Sequence, residues 1–418
     1  MSTITHPTET PLAVPTPSRW RHAAVETILG AVLRRVPVRV LLPGGRLLSA
    51  PDPRLHPDPP TIEIIRPGEL VRRLASHPKI GIGEAYTAGD WRAAPGTDLA
   101  ATLLPFAQRM TTAVPPVLRR LRRLVDRPIP RTQRNTIAGA RQNIADHYDL
   151  SNDLFAAFLD ETLSYSCAYF DDGRPWAAQS LAEAQLRKVD AVLDLAGVGP
   201  GTRLLEIGTG WGALAVEAAR RGAVVTSLTL SAEQADLARR RVEAAGLAGS
   251  VDIRLQDYRE IDGSFDAIVS VEMIEAVGEE YWPAYFAAID RLLAPGGMVA
   301  IQSILMAHDR YLATRRSYGW VQKHIFPGGL IPSAEAIEAT ARSHTTLRVT
   351  DVARFGQHYA ETLLRWRGSF AAAWPQITDL GFDEAFRRTW EFYLAYCHAG
   401  FASGYLDVAH IQLRRSQP

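Results

Sequence analysis

The chain has 418 residues, of which 47% are hydrophobic and 22% charged, and its formal net charge is +1. This composition is that of an ordinary globular protein, and the length suffices for two domains. Cys167 and Cys397 are the only cysteines, which argues against a disulfide framework and favours a reducing, cytoplasmic setting.

Positive charge is concentrated in the first third of the chain. Residues 1–140 carry 20 Lys and Arg against 10 Asp and Glu, whereas the remainder carries 26 against 35. This asymmetry favours an anionic partner for the first part, either nucleic acid or the surface of an anionic membrane. A solvated basic face without a partner is the alternative.

The N-terminal end predicts a disordered tail over residues 1–19, which are rich in Pro and Thr and lack the pattern of a signal peptide. The apolar stretch of residues 23–42 contains Glu26, Arg34 and Arg35, and these charges argue against a membrane span. Any contact with a membrane is therefore expected to be peripheral.

Residues 20–125 predict a small basic α+β domain that binds lipid or pairs two copies of the chain. The expected elements are a helix near residues 22–34, two strands around the Gly44-Gly45 turn, a strand in "TIEIIRP" and a helix from "PGELVRRLA".

A later helical stretch of this domain combines arginines with leucines, which is typical of a surface that meets phospholipid headgroups. The arginines are Arg119, Arg120, Arg122 and Arg123. Residues 126–142 contain prolines and polar residues and predict a linker to a second domain, residues 143–418.

In the second domain, strand-like and helical segments alternate, which predicts a doubly wound, Rossmann-like α/β fold with a mostly parallel seven-stranded sheet. The predicted strands are residues 203–207, 224–230, 251–256, 265–271, 297–303, 347–352 and 410–416.

A glycine-rich turn, "EIGTGWG" (206–212), follows the first of these strands and is typical of a nucleotide-type cofactor site. A dinucleotide is the competing interpretation. The glycine spacing, the acid Glu206 before the first glycine, and the lack of an acid near Thr229 and Ser231 at the end of the second strand argue against it. The pattern favours S-adenosylmethionine.

Several further motifs occur in order with this turn: "NIADHYDLSNDLFAAFLDETLSYSCAYF", "SLTLSAEQ", "SVEMIEAVG", "HIFPGGLIPS", "HYAETLLRW" and "YLAYCHAGFASGYLDV". Together they resemble the cyclopropane-fatty-acyl-phospholipid synthase family, which includes the mycolic acid methyltransferases. The resemblance covers residues 143–416. In "SVEMIEAVG" and "AIQSI" it is closest to the actinobacterial fatty-acid methyltransferases of the tuberculostearic (10-methyl) lipid pathway.

The resemblance implies a set of residues that bind S-adenosylmethionine. Hydroxyl and amide groups of this set would bind the ribose, and the ring of Tyr258 would pack on the adenine, although Tyr258 alone reads as an ordinary half-buried aromatic residue. The set comprises Tyr165, Ser166, Glu206, Gly208, Gly210, Gly212, Thr229, Leu230, Ser231, Gln234 and Tyr258.

The resemblance also implies a catalytic group. Methyl transfer to an alkene leaves a carbocation that must lose a proton, and a protein carboxylate in contact with it could form an ester instead. In the family a bound bicarbonate ion accepts the proton. By motif it would be held by Cys167, Glu275, Gln302, Ile304 and Tyr359.

Within this set, Glu275 is expected to accept a hydrogen bond from the bicarbonate hydroxyl, while Tyr359 and backbone N–H groups donate. Taken singly, Cys167 reads as a small buried hydrophobe, Glu275 as a carboxylate at a helix start, and Tyr359 as a core aromatic residue. Glu272 is interpreted as structural.

Gln302 stands where the family has a histidine. Its amide donates a hydrogen bond but cannot take up a proton, which predicts a bicarbonate site and a product different from those of the cyclopropane synthases. If a hydride shift precedes deprotonation, the product is a methylene group instead of a ring.

The sequence thus predicts methyl transfer to the cis double bond of an unsaturated phospholipid acyl chain, oleoyl being the expected one, to give a 10-methylene chain. The alternative product is a cyclopropane ring. The expected partners are an anionic membrane surface at the inner face of the cell membrane, a reductase and a second copy of the chain, which pairs through the N-terminal domain.

Three other functions fit the sequence less well. The basic N-terminal domain argues against a small-molecule methyltransferase. The intact glycine turn argues against a catalytically silent lipid-binding protein. The absence of an Asn-Pro-Pro-Tyr element argues against a nucleic acid substrate.

Overall fold

A computed structural model describes residues 35–109 and 151–416, together with residues 27, 30–33, 130, 133, 135, 136, 139 and 140. The chain divides into two compact units, one of Met1–Asp126 and Glu384–Phe392, the other of Arg127–Asp383 and Tyr393–Pro418. The predicted tail, the arginines at 119–123 and most of the predicted linker lie outside the described residues.

The first unit contains a four-stranded sheet in the order β2-β1-β3-β4. Its elements are β1 (Arg39–Leu42), β2 (Arg46–Ser49), β3 (Thr61–Ile64), α1 (Pro67–Ser76), α2 (Pro78–Thr87), β4 (Trp91–Ala93) and α3 (Leu99–Gln108). Gly44 and Gly45 form the β1–β2 turn with φ of 78° and 76°, a conformation that favours glycine. The predicted hairpin, strand and following helix of this region are confirmed.

The second unit is built on a seven-stranded sheet in the order β10-β11-β9-β8-β5-β6-β7. The strands are β5 (Arg203–Ile207), β6 (Val224–Thr229), β7 (Val251–Leu255), β8 (Phe265–Val271), β9 (Leu293–Met306), β10 (Leu347–Arg354) and β11 (Leu406–Arg415). β5 to β9 pair in parallel, and β11 runs antiparallel to both of its neighbours. The predicted fold class is confirmed, and β9 is longer than its predicted segment.

Helices cover both faces of this sheet. They are α4 (Asn152–Phe158), α5 (Leu181–Leu195), α6 (Ala213–Arg220), α7 (Ala232–Ala244), α8 (Ile274–Val277), α9 (Trp282–Leu292), α10 (His308–Thr314), α11 (Trp320–His324), α12 (Ala334–His344), α13 (Gly356–Ala372), α14 (Trp374–Asp379) and α15 (Glu384–Ala402), whose start belongs to the first unit. In the described part of the chain every helix is too short or too polar to pass through a bilayer.

Each face of the sheet has its own apolar core, because consecutive residues of a strand point to opposite sides. Leu204 of β5 packs in one core with residues of α5, α6 and α7, and Leu205 packs in the other with residues of α9 and α12. Burial on both faces explains why the central parallel strands read as continuous hydrophobic runs. The polar side chains of the site follow the carboxyl ends of these strands.

Candidate active site

The glycine turn after β5 has the backbone that its sequence predicts. Gly208, Gly210 and Gly212 all have positive φ, of 102°, 51° and 87°. A Cβ at Gly208 would lie 2.5 Å from Cγ of Met273, and one at Gly212 would lie 3.1 Å from Cβ of Ala238. Glycine is therefore required both for the turn and for the close approach of its neighbours.

A cleft of about 140 Å³ lies beside this turn. The predicted cofactor residues that line it are Tyr165, Ser166, Glu206, Gly208, Gly210, Thr229, Leu230, Gln234 and Tyr258. Two others have different positions: Gly212 is the N-cap of α6, and the hydroxyl of Ser231 accepts a hydrogen bond from the Gln234 N–H at the start of α7.

The cleft suits a ligand such as S-adenosylmethionine. It combines a close backbone approach with hydroxyl and amide groups and an aromatic ring, Tyr258. Sequence reasoning missed Lys188, which lines the cleft from α5 and donates to Oγ of Ser166 at 2.7 Å. No local motif marks Lys188, since it lies on the buried face of an amphipathic helix.

Glu206 is buried at the end of β5 and accepts a hydrogen bond from the hydroxyl of Ser227. Burial raises the pKa of Glu206 to about 8, against the opposing effects of Ser227 and Lys188. A positively charged group in the cleft would lower this pKa, because it favours the carboxylate.

At the end of β8, Glu272 is held by three hydrogen-bond donors. Its Oε1 accepts from the Cys167 backbone N–H at 2.8 Å and from Nε2 of Gln302 at 2.7 Å. Its Oε2 accepts from the Tyr359 hydroxyl at 2.7 Å. Glu272, which the sequence interprets as structural, is partly buried and lines the cleft.

Gln302 is oriented by two further contacts. Its Oε1 accepts from Nε2 of His410 at 2.9 Å, and its Nε2 also lies 3.2 Å from the carbonyl oxygen of Cys167. Burial lowers the pKa of His410 to about 3, so the imidazole is neutral. Since an amide oxygen only accepts, Nε2 of His410 carries the proton and the amide nitrogen of Gln302 faces Glu272.

Glu275 lies apart from these donors. Its Oε1 accepts from the Ser303 hydroxyl at 2.8 Å and from the Ile304 N–H, while its Oε2 is buried without a hydrogen-bond partner among the described residues. Burial, together with the charge of Glu272, raises the pKa of Glu275 to about 8.

The five predicted catalytic residues therefore form two groups. Cys167, Gln302 and Tyr359 surround the carboxylate of Glu272, and Ile304 contacts Glu275. The thiol of Cys167 donates to the Ala168 carbonyl at 3.2 Å, and burial, together with the charge of Glu272, raises its pKa well above the usual range. The hydrogen bond from Cys167 to Glu272 is therefore made by its backbone N–H.

Comparison with known proteins identifies the family. Residues 136–411 match the family model described as mycolic acid cyclopropane synthetase. The chain belongs to this family. The mycolic acid cyclopropane synthetase family has the fold that the sequence predicts. The family match also identifies the chain as an S-adenosylmethionine-dependent methyltransferase of a lipid-modifying family.

Two relatives extend over most of this chain. The tuberculostearic acid methyltransferase UfaA1 of Mycobacterium tuberculosis is 50% identical over 403 residues, which are 95% of this chain and 93% of the relative. The cyclopropane-fatty-acyl-phospholipid synthase of Escherichia coli strain K12 is 34% identical over 371 residues, 85% of this chain and 88% of the relative.

Among solved structures, mycolic acid cyclopropane synthase CmaA1, complexed with SAH and CTAB, superimposes with a TM-score of 0.60. It is 32% identical, and the match covers 66% of this chain and 98% of CmaA1. The superposition shows that the second unit has the architecture of the family enzymes.

Proposed function

We propose that the enzyme transfers the methyl group of S-adenosylmethionine to the cis double bond of an unsaturated phospholipid acyl chain, such as oleoyl, and gives a 10-methylene chain. The main support is that Glu272, whose carboxylate three donors hold in place, lines the cofactor cleft. A reaction that passes through a carbocation needs a proton acceptor beside the methyl donor, and this arrangement supplies a carboxylate there.

When bound, S-adenosylmethionine supplies an electrophilic methyl group. Thr229, Gln234 and Tyr258 line the part of the cleft that would hold its nucleoside. Glu206 supplies a buried carboxyl group for a positively charged group of the cofactor. These residues bind and orient the donor, and the surrounding apolar side chains exclude water from it.

The methylene product is supported by the 50% identity with a tuberculostearic acid methyltransferase and by the environment of Gln302. Gln302 and His410 are both neutral, so neither contributes a charge beside Glu272. Cyclopropane formation by the same chemistry is the alternative. A methylene product would be the substrate of a separate reductase, the partner expected to form the saturated 10-methyl chain.

The residues named for bicarbonate do not fit that ion as the resemblance implied. The Cys167 N–H, the Gln302 amide and the Tyr359 hydroxyl donate to Glu272, and the Ile304 N–H donates to Glu275. An anion at this place would compete with the side chains of Glu272 and Glu275 for the same donors. We therefore assign no step to bicarbonate.

We also propose that the enzyme binds the inner face of the cell membrane peripherally and pairs through its first unit. Support for membrane binding comes from the 20 Lys and Arg in residues 1–140 and from Leu47 and Leu48, which are 56% and 44% exposed on β2. Basic and exposed apolar side chains together favour an anionic lipid surface.

The function is tested by incubating the protein with S-adenosylmethionine and liposomes that contain oleoyl chains, followed by mass spectrometry of the released fatty acids. We expect a gain of one CH2 unit on the mono-unsaturated chains, and ozonolysis then separates a methylene group from a ring. Liposomes with saturated chains are the control. A gain on saturated chains, or none on oleoyl, would contradict the proposal.

A further inference from the structure

We propose that Glu272 itself is the proton acceptor of this enzyme, in the place that the resemblance assigns to a bicarbonate ion. This inference rests on the proposed function and names the base in its reaction. The donors expected to hold bicarbonate converge on the two oxygens of this side chain. A carboxylate offers the same two-oxygen acceptor geometry as the small anion, so one can replace the other in a fixed set of donors.

The backbone of Glu272 supports a functional role. Its φ of 52° lies in the left-handed region, where a residue with a Cβ is strained. Among the described residues, Leu163 and Glu272 are the non-glycine positions with such a φ, and both line the cofactor cleft. Such strain persists where the surrounding contacts enforce it, and here three hydrogen bonds hold the side chain of a residue that lines the cleft.

Burial raises the pKa of both carboxyl groups, but Glu272 has more partners that stabilise its carboxylate form. It accepts three hydrogen bonds and lies within the field of the Lys188 ammonium, whereas Glu275 accepts two and is opposed by the charge of Glu272. Because Oε1 of Glu275 accepts both of its hydrogen bonds, its proton belongs on Oε2. A single negative charge on the pair is therefore better stabilised on Glu272 than on Glu275.

The reaction balances with Glu272 as base. The acyl double bond uses its π electrons to bind the methyl carbon, whose bond to sulfur breaks with both electrons staying on sulfur. The neighbouring acyl carbon becomes positive, and a hydride shift moves this charge to the carbon that bears the new methyl group. Glu272 then takes a proton from that methyl group, and the C–H electrons form the methylene double bond. The carboxylic acid afterwards loses its proton to solvent through the cleft.

A carboxylate base beside a carbocation could form an ester with it instead of removing a proton. In Glu272 both oxygens are engaged by donors that belong to three separate segments of the unit. The side chain is therefore fixed in position, and hydrogen bonding reduces the nucleophilicity of its lone pairs.

Bicarbonate dependence of the wild-type enzyme tests the inference directly. The liposome assay is run in buffer freed of carbon dioxide and again with added bicarbonate. We expect equal turnover in both. Turnover that falls in the depleted buffer and recovers with bicarbonate would overturn the assignment of Glu272. No CH2 gain in either buffer would instead contradict the proposed function, so the two failures are distinguishable.

Matched glutamine variants supply the second test. Glu272→Gln is expected to lower turnover about a hundredfold or more, the usual contribution of a general base. Glu275→Gln replaces a neutral acid by a neutral amide and is expected to lose less. Cofactor affinity and the thermal midpoint of each variant report whether the fold is kept. The opposite order of the two losses, with both folds intact, would overturn the inference.

A third variant makes room for a bicarbonate ion where the carboxylate of Glu272 lies. Glu272→Gly removes the carboxylate, relieves the positive φ and leaves the donors of Cys167, Gln302 and Tyr359 for a small anion. We expect its low turnover to rise with added bicarbonate. Wild-type turnover of this variant in the depleted buffer would contradict the role of Glu272.

Discussion

The hydroxyl of Tyr359 donates a hydrogen bond to Oε2 of Glu272 at 2.7 Å, although 87 residues separate them. This bond connects α13 to the end of β8 and leaves neither oxygen of Glu272 without a donor, since Cys167 and Gln302 occupy the other. Tyr359 is itself buried and stacks on Phe401 with ring centroids 4.4 Å apart, which fixes the direction of its hydroxyl.

Removal of this hydroxyl is expected to alter the pH profile of the reaction. Besides burial, which raises the pKa of Glu272, its partners Cys167, Tyr359, Gln302 and Lys188 lower it. In Tyr359→Phe the pKa of Glu272 therefore rises, and the rising limb of turnover against pH moves to higher pH. Turnover below that limb falls about tenfold, the equivalent of 1.4 kcal/mol.

The matched control is Tyr86→Phe, which removes the hydroxyl of a half-buried tyrosine beside Glu391 in the first unit. It is expected to lower stability without moving the pH profile. An unchanged profile for Tyr359→Phe would show that its hydroxyl does not tune the base.

Gln302→Met tests the bridge between His410 and Glu272. The thioether cannot replace the amide, so Glu272 loses one donor and the N–H of His410 loses its acceptor. We expect a loss of about 1–3 kcal/mol in the free energy of unfolding, together with lower turnover. Gln412 lies on the same strand as His410 and donates a hydrogen bond to the carbonyl oxygen of Leu195. Gln412→Met removes this bond and should lower stability and spare turnover. Urea unfolding and the liposome assay measure the two effects, and equal turnover losses would refute the bridge.

Cys167→Ala separates the thiol from the backbone of this residue. Because the backbone N–H donates to Glu272 and the thiol bonds to Ala168, alanine keeps the contact that matters. The lost sulfur costs about 1 kcal/mol of stability, as for one buried methylene group, and turnover falls by less than about tenfold. Complete loss of turnover in a folded Cys167→Ala enzyme would show that the thiol takes part in the reaction.

The stability of the cofactor-free enzyme is expected to fall as pH rises. Burial raises the pKa of Glu206 and of Glu275 from 4.5 to about 8. The folded state therefore binds protons more tightly than the unfolded one, so this stability is complete below pH 4.5 and is lost as pH rises to about 8. Lys188 and Ser227 face Glu206, while Glu272, Ser303 and the Ile304 N–H face Glu275.

Thermal unfolding across this pH range measures the effect. Glu206→Gln and Glu275→Gln should each flatten the decline, because an amide does not titrate. An unchanged slope in both variants would mean that these groups are not the source. S-adenosylmethionine carries positive charge, so its binding should also release protons. Calorimetry in buffers of different ionisation enthalpy measures the number of protons released.

The sequence predicts the sheet and the glycine turn because their signals are local. β5 and the turn after it lie in one continuous segment, and the apolar runs of the parallel strands follow from burial on both faces. The choice between Glu272 and Glu275 is not local. The partners of Glu272 lie 105, 30 and 87 residues away in sequence, and only folding brings them to one carboxylate.

The most direct test of methyl transfer to a double bond uses S-adenosylmethionine with a trideuterated methyl group and oleoyl liposomes. If the methyl carbon loses a proton to the enzyme after transfer, the modified acyl chain keeps two of the three deuterium atoms, which mass spectrometry of the fatty acid reads directly. Retention of all three would show that the methyl group is transferred intact, and would contradict a carbocation that is quenched at the methyl carbon.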